Sequence, residues 1–361
     1  MTFGKMALVL AAGLFLGAAT ATPPRDFSAF RPMTVPPARF DGTLSVLTYN
    51  VEGLPFPVRI GRASAMAAIV AELRAMRASQ DAPHVIVLQE AFMPEAQAIG
   101  AAAGYRYRAA GPAAAATNAA PMTAGDRIFA AGARWWKGET AGKLVGSGLA
   151  VLSDYPIVAT RRMAFPAFAC AGFDCLANKG ALLVSVAVPG IATPVDIVTT
   201  HLNSRHASHV PTARANAAYF RQVAALDAFI AAGHDPRRPL IVAGDFNVGK
   251  EALRRATLLG GAAVHWHPSG RVADALHEAG RLGLPLPADA LFSLNRARDW
   301  QFFAAGSRAG LALTGLTAPF GRDADGRMLS DHVGYVADFR FVPPPSAGET
   351  LAATRNARSR A

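Results

Sequence analysis

Cysteine is scarce in this 361-residue chain: Cys170 and Cys175 are the only two, and they sit together in CAGFDC. That excludes a many-bridged scaffold and leaves either one local bridge, which an oxidising compartment would permit, or two free buried thiols. Long apolar runs are missing beyond the first residues, so no later segment reaches the roughly 20 residues of a membrane span, and the mature protein is expected to be soluble. Acids are outnumbered, 25 against 36 basic residues, for a net charge of +11. Such an excess suits an anionic partner such as nucleic acid or a phospholipid surface. The arginines are scattered, however, and no dense basic run alternates with aromatics, so charge alone assigns no partner. No internal repeat is visible, and with 52% hydrophobic residues the composition excludes a disordered or fibrous protein.

What is present begins with MTFGKMALVLAAGLFLGAATATPP. Lys5, an apolar run from Met6 to Ala18 and the small-residue ATA at Ala19 to Ala21 read as a signal peptide over 1–21, with an uncleaved anchor as the alternative. The expected location is therefore secreted or periplasmic. A Pro-rich leader over 22–40 follows, then one domain over 41–343 and a basic flexible tail over 344–361.

Within that domain, TLSVLTYNV, HVIVLQEAF, GSGLAVLSDYPIV, KGALLVSVAVPG, PVDIVTTHLNS, RPLIVAGDFNV and the late LSDHVGYVADFRFV read as strands. Two amphipathic helices separate them, one on Met66, Ile69, Val70, Leu73 and Met76, the other on Phe220, Val223, Leu226 and Ile230. The Ala-rich stretch from Ala109 to Gly125 reads as a long surface loop. Strands that alternate with only some helices point to an α/β fold with mixed sheets.

The strand runs share an oddity: they end in polar residues. Asn50, Glu90, His201 with Asn203, Asp245 with Asn247, Asp299, and Asp331 with His332 each stand at the edge of an apolar stretch. Singly, each has a bland explanation as a turn, a core histidine or a helix cap. Together they form the set that phosphate-ester hydrolysis needs: acids and amides for a cation, a base for water, and a donor for the leaving oxygen. Glu90 suits Mg²⁺, which prefers one or two carboxylates plus waters.

In residues and order, the set resembles the endonuclease/exonuclease/phosphatase superfamily, with GDFN and the terminal SDH as the most specific elements. The resemblance implies a four-layer α/β sandwich, two packed mixed sheets flanked by helices as in deoxyribonuclease I. It implies Mg²⁺, with Mn²⁺ or Co²⁺ as substitutes, at Glu90, Asn50 and Asp331. It further implies that His332 takes the proton of the attacking water, Asp299 orients His332, Asp245 and Asn247 position water and phosphoryl oxygens, and His201 stabilises the transition state.

The segment Asp174, Leu176, Asn178, Lys179, Gly180 is similar to the D-x-L-x-N-K-G run of secreted bacterial sphingomyelinases and neutral relatives. It implies substrate contacts through Asn178 and Lys179, with Asn203 nearby, and a Mg²⁺-dependent phosphodiesterase acting on a phospholipid headgroup. Trp135 and Trp136, flanked by Arg134 and Lys137, could touch a lipid interface or anchor a packed loop. The competing expectations are a secreted endonuclease acting on DNA and a catalytically inactive binding protein on the same scaffold.

Overall fold

The structure, a computed structural model, describes residues 27–269 and 271–343. The expected signal peptide, the start of the leader and the basic tail lie outside the described residues. Among the described residues the chain runs β1 (Thr43–Asn50), α1 (Arg62–Ala78), β2 (Val85–Gln89), α2 (Pro94–Ala102), β3 (Tyr107–Ala110), α3 (Ala124–Ala131) and β4 (Ala150–Ser153). It continues with β5 (Ile157–Ala164), β6 (Gly180–Val186), β7 (Val195–His201), α4 (Thr212–Gly233), β8 (Leu240–Asp245) and α5 (Ala252–Gly261). The last elements are β9 (Ala273–Asp274), α6 (Ala275–Leu282), α7 (Ala288–Arg296), β10 (Asp299–Ala304), β11 (Gly310–Phe320) and β12 (Gly334–Val342).

Two six-stranded mixed sheets result, ordered β11-β12-β1-β2-β4-β3 and β5-β6-β7-β8-β10-β9. Strand alternation explains why they stack. In β1, Leu44 and Val46 point into the core between the sheets while Leu47 and Tyr49 point outward. In β8, Ile241 and Ala243 face that core while Leu240 and Val242 face outward. Each outer face is then covered by helices. Met66, Ile69, Val70 and Leu73 of α1 are buried on the first sheet, and Tyr219, Val223, Leu226 and Ile230 of α4 on the second. Full burial of each such side chain contributes ~1.5–3 kcal/mol. The four-layer sandwich implied by the family resemblance is the observed fold.

Helix faces follow the sequence pattern closely. Phe220 and Met76 are only partly buried, and Tyr219, one residue from the expected stripe, takes the deeper place. The Ala-rich stretch is irregular over 111–123, but its ends belong to β3 and α3. Part of the leader packs: Phe30 is buried against α1 and α2, and the Met33 amide donates to Ala101 O (3.0 Å). No helix among the described residues is long and apolar enough to cross a membrane.

Phe339 of β12 is fully buried between the sheets against Phe303 of β10, ring centroids 5.1 Å apart. Phe339→Ala should lower unfolding free energy by ~3–5 kcal/mol, read as a fall in denaturant midpoint with an unchanged slope.

Candidate active site

The same alternation that builds the core places the site. In β7, Val195 and Ile197 face the inter-sheet core, so His201 at the strand end faces it too. Asp245 follows Ile241 and Ala243, Asn50 follows Leu44 and Val46, and Asp299 shares the parity of Phe303. Register aligns them. His201 pairs with Asp245 across the parallel β7–β8 ladder, Asp245 pairs with Asp299 across the antiparallel β8–β10 ladder, and Asn50 pairs with Gln89 in the other sheet. One end of the sandwich thus gathers polar ends from both sheets. Beneath them lies a polar layer in which Gln89 Nε2 donates to Thr199 Oγ1 (3.2 Å) and Gln301 Nε2 donates to Val46 O (3.1 Å), joining the sheets.

Glu90 breaks the alternation. One residue past Gln89 it should face outward, but its backbone is left-handed (φ 57°), and the turn brings its carboxylate to Asn50. Asn247 (φ 49°) and Glu52 (φ 49°) adopt the same strained region beside the site. Arg62 fixes the turn after β1, donating to Val51 O (2.6 Å), Glu52 O (2.7 Å) and Leu329 O (2.7 Å).

Asp245, 1% exposed, is the hub. Its Oδ2 accepts from Asn50 Nδ2 (3.1 Å) and lies 3.5 Å from His201 Nε2 and 3.7 Å from His332 Nε2, while its Oδ1 accepts from the Asn247 amide (2.9 Å). Asn50 Nδ2 also donates to Glu90 Oε1 (3.1 Å), so one NH₂ group joins two carboxylates. Both oxygens of Asp299 lie 2.8 Å from His332 Nδ1, which leaves Nε2 directed at Asp245. Burial works to lower the His332 pKa, but the carboxylates of Asp299 and Asp245 outweigh it and push it up to about 10. Ser330 ties this corner to β1, donating to Asn50 O (2.6 Å) and accepting from the His332 amide (3.2 Å).

On the far side of Asp245, Lys179 Nζ donates to Asp174 Oδ2 (3.0 Å) and Leu202 O (3.1 Å) and lies 3.2 Å from His201 Nε2. An ammonium can only donate, so His201 Nε2 accepts and its proton resides on Nδ1. Burial first, then Lys179, lowers the His201 pKa to about 3. The positive charge on this side of Asp245 is that of Lys179, with His201 neutral. The loop presenting Asp174 is closed by the Cys170–Cys175 disulfide, so the bridge is the realised alternative. Gly172 in that loop has φ 63°, and a Cβ there would meet Ser208 O at 1.8 Å.

Two expected substrate contacts, Asn178 and Asn203, are engaged with main chain. Asn178 spends its amide on Ala113 O (2.8 Å), Ala114 O (3.2 Å) and Ala116 O (2.8 Å), pinning the Ala-rich loop. Asn203 accepts from the Ala171 amide (3.0 Å) and donates to Ser204 O (2.9 Å), holding the disulfide loop. Asn247 keeps a place at the edge, donating to Leu202 O (3.0 Å). Asp331 stands apart, its side chain 52% exposed and 3.8 Å from His332 Nε2. Arg254 was not foreseen. Fully buried, it donates to Asn203 O (2.8 Å) and Asn247 O (2.9 Å) and locks the loops after β7 and β8 together. An arginine near a helix start carries no sequence signal for such a task.

The donor set fits a hard divalent cation. Glu90, with only Asn50 as a hydrogen-bond partner, has its pKa raised to about 7 by burial, a carboxylate short of positive charge. Asn50 offers the acids its NH₂, its Oδ1 being engaged by the Glu52 amide (3.0 Å). Glu90 and Asp245 are the nearest oxygen donors, and ligand atoms of Asp245, Asp299 and His332 lie within 4.8 Å of one another. Asp299 is committed to His332, so Mg²⁺ would be held from the Glu90 side.

The Endonuclease/Exonuclease/phosphatase family model matches residues 47–339, the span that carries all of these strand ends. The chain belongs to this family. Its fold matches a Staphylococcus aureus beta toxin variant crystallised with bound magnesium ions (TM-score 0.53, 16% identity, covering 81% of this chain and 98% of the other). It likewise matches sphingomyelinase C from Streptomyces griseocarneus (TM-score 0.50, 23% identity, 82% and 99% covered). A third match is D. rerio TDP2 complexed with a single-strand DNA product (TM-score 0.51, 15% identity, 83% and 100% covered). No curated protein matches the chain in sequence. Family membership and the buried Asp/His cluster make this a phosphoesterase site.

His332→Ala should abolish hydrolysis with no recovery on added cation, and Asp299→Asn should cut kcat by ~10²–10⁴-fold with little change in KM. Glu90→Gln should also lose activity but regain part of it at high Mg²⁺, checked by titrating Mg²⁺ against initial rate.

Proposed function

We propose that this protein is a divalent-cation-dependent phosphodiesterase that cleaves a phospholipid headgroup ester in the manner of a sphingomyelinase. The observation that carries this reading is Lys179, buried beside His201 within the same cluster as Asp245 and His332. There its three N–H groups are taken up by Asp174, Leu202 O and His201 Nε2, so its ammonium would act on the anionic phosphodiester by charge, through His201. The site end also bears an apolar rim. Phe56 (77% exposed), Val58 and Ile60 lie on the loop after β1, and Trp135 (72%) and Trp136 on the segment between β3 and β4. Arg59, Arg134 and Lys137 accompany them, a combination suited to an anionic lipid surface.

In this reading, His332, neutral once a bound cation offsets the acids beside it, takes a proton from water at Nε2 as the water oxygen bonds to phosphorus. The ester bond to the lipid alcohol breaks, the departing oxygen takes a proton from solvent, and His332 returns its own to solvent. Asp299 holds the His332 tautomer, and Asp245 with Asn247 orients the water. Bound Mg²⁺ would supply the positive charge that offsets the acids around His332 and the phosphoryl oxygens. Residues 1–21 are proposed as a signal for export to a secreted or periplasmic location, consistent with the bridged cysteines.

The test assays mature protein with Mg²⁺ or chelator on sphingomyelin vesicles and on supercoiled plasmid in parallel. Metal-dependent phosphocholine release without nicking is expected, with vesicle activity falling at least several-fold in Trp135→Ala/Trp136→Ala. Nicking without lipid cleavage would replace this reading with a nuclease, which the excess of basic residues would suit.

A further inference from the structure

A cleft of about 240 Å³ opens beside the reaction centre and shares Asn247 with it. Three segments line it: Arg205 and His206 after β7, Asn247 to Lys250 after β8, and Asn295, Arg296 and Arg298 at the end of α7. Two contacts fix its position. Asn247, which borders the cleft, gives its amide to Asp245 Oδ1, and Arg296 Nη1 donates to the backbone oxygen of Asp331, next to His332.

The charge balance of this cleft is lopsided. Four permanently basic side chains enter its lining, and the acid paired with one of them is Glu251, which bonds Arg205. Arg298 is half-buried with no hydrogen bond or ion pair to its guanidinium among the described residues, and Lys250 is exposed and equally without one. Arg296 is held below its ordinary pKa by burial and then by Arg298, with Asp299, Asp331 and Asp245 of the reaction centre acting the other way. His206, held below its ordinary pKa by burial and by Arg205 and Arg298, registers the same accumulated positive field. Like charges gathered in a concave, partly desolvated space repel, and an anion bound there relieves the repulsion of several at once.

We infer that this cleft is a subsite for a second phosphate, carried by the same substrate as the phosphodiester that is cleaved. The inference rests on the phosphodiesterase reading for which phosphorus reacts, and it sharpens that reading: the preferred headgroup bears an additional phosphoryl charge rather than a cationic choline. A cleft of about 240 Å³ holds one compact headgroup rather than a long nucleic-acid strand. The arginines would grip the phosphate by paired N–H donors, Lys250 by charge alone.

The test separates the subsite from the reaction. Calorimetry compares 1,3-propanediol monophosphate with 1,3-propanediol bisphosphate on the Mg²⁺-loaded protein, a readout that needs no turnover. The bisphosphate is expected to bind at least ~10-fold tighter, and Arg298→Gln/Lys250→Gln to bring the two ligands within about 2-fold. Equal affinities in the unaltered protein, or a preference that survives the double substitution, overturn the subsite whatever the enzyme hydrolyses. In the assay arm, vesicles carrying a phosphorylated headgroup should be cleaved with a kcat/KM several-fold above sphingomyelin vesicles, and that ratio should collapse in the double variant. Sphingomyelin cleaved as fast as the phosphorylated lipid overturns the headgroup assignment, and so does a plasmid preferred over both. Absence of all hydrolysis would instead sink the phosphodiesterase reading while the calorimetry still decides the cleft.

Discussion

The buried carboxylate of Asp245 is the constraint on which the arrangement depends. At 1% exposure it needs compensation from within the protein, and the donors come from the facing sheet and from the loop that follows it. Asn50 reaches across from the first sheet, and the protonated His332 lies 3.7 Å away. A carboxylate stripped of water costs several kcal/mol unless such partners are in place, so the two sheets must meet in one register for the acid to be tolerated at all. The chemistry and the packing are therefore one problem. The polar layer of Gln89, Thr199 and Gln301 just beneath the site marks where apolar stacking gives way to that requirement.

Around this centre the positive charges are divided. His332 is held protonated by two carboxylates, whereas His201 is kept neutral by burial and by Lys179. Two histidines a few ångströms from the same acid are thus driven to opposite states, which separates a proton carrier from a neutral acceptor without any difference in residue type. Lys179 owes its place to Asp174 and to the short bridged loop that presents it.

Much of this was legible beforehand because alternation and strand ends leave clear marks in a sequence. The apolar runs ending in Asn50, His201 and Asp245 give both the strand and the side that its last residue faces, and the order of motifs gave the four-layer fold. Other features leave no such mark. Asn178 and Asn203 stand in motifs with the composition of a substrate site, but an amide serves a backbone as readily as a ligand, and only the loop's path shows which. Glu90 was found by its chemistry although its inward direction depends on a left-handed turn that alternation does not contain. Arg62 and Arg254 bond main-chain oxygens, and main-chain oxygens have no sequence. The short helices α2 and α5 were invisible for want of a long apolar stripe.

The division between strand ends and loops has a consequence for how such an enzyme can change. Acids and histidines that break the ester are carried by strand ends or lie directly beside them, fixed by registers that a mutation can shift only by unravelling a sheet. Lys250, Arg205 and the aromatic and aliphatic rim belong instead to connecting segments that tolerate insertion and exchange. Descent with modification can therefore retarget the catalyst by rewriting connections alone, keeping the reaction as an inheritance while the choice of molecule drifts. Among distant kin with such a frame, similarity of architecture then speaks to what bond is broken and says little about whose.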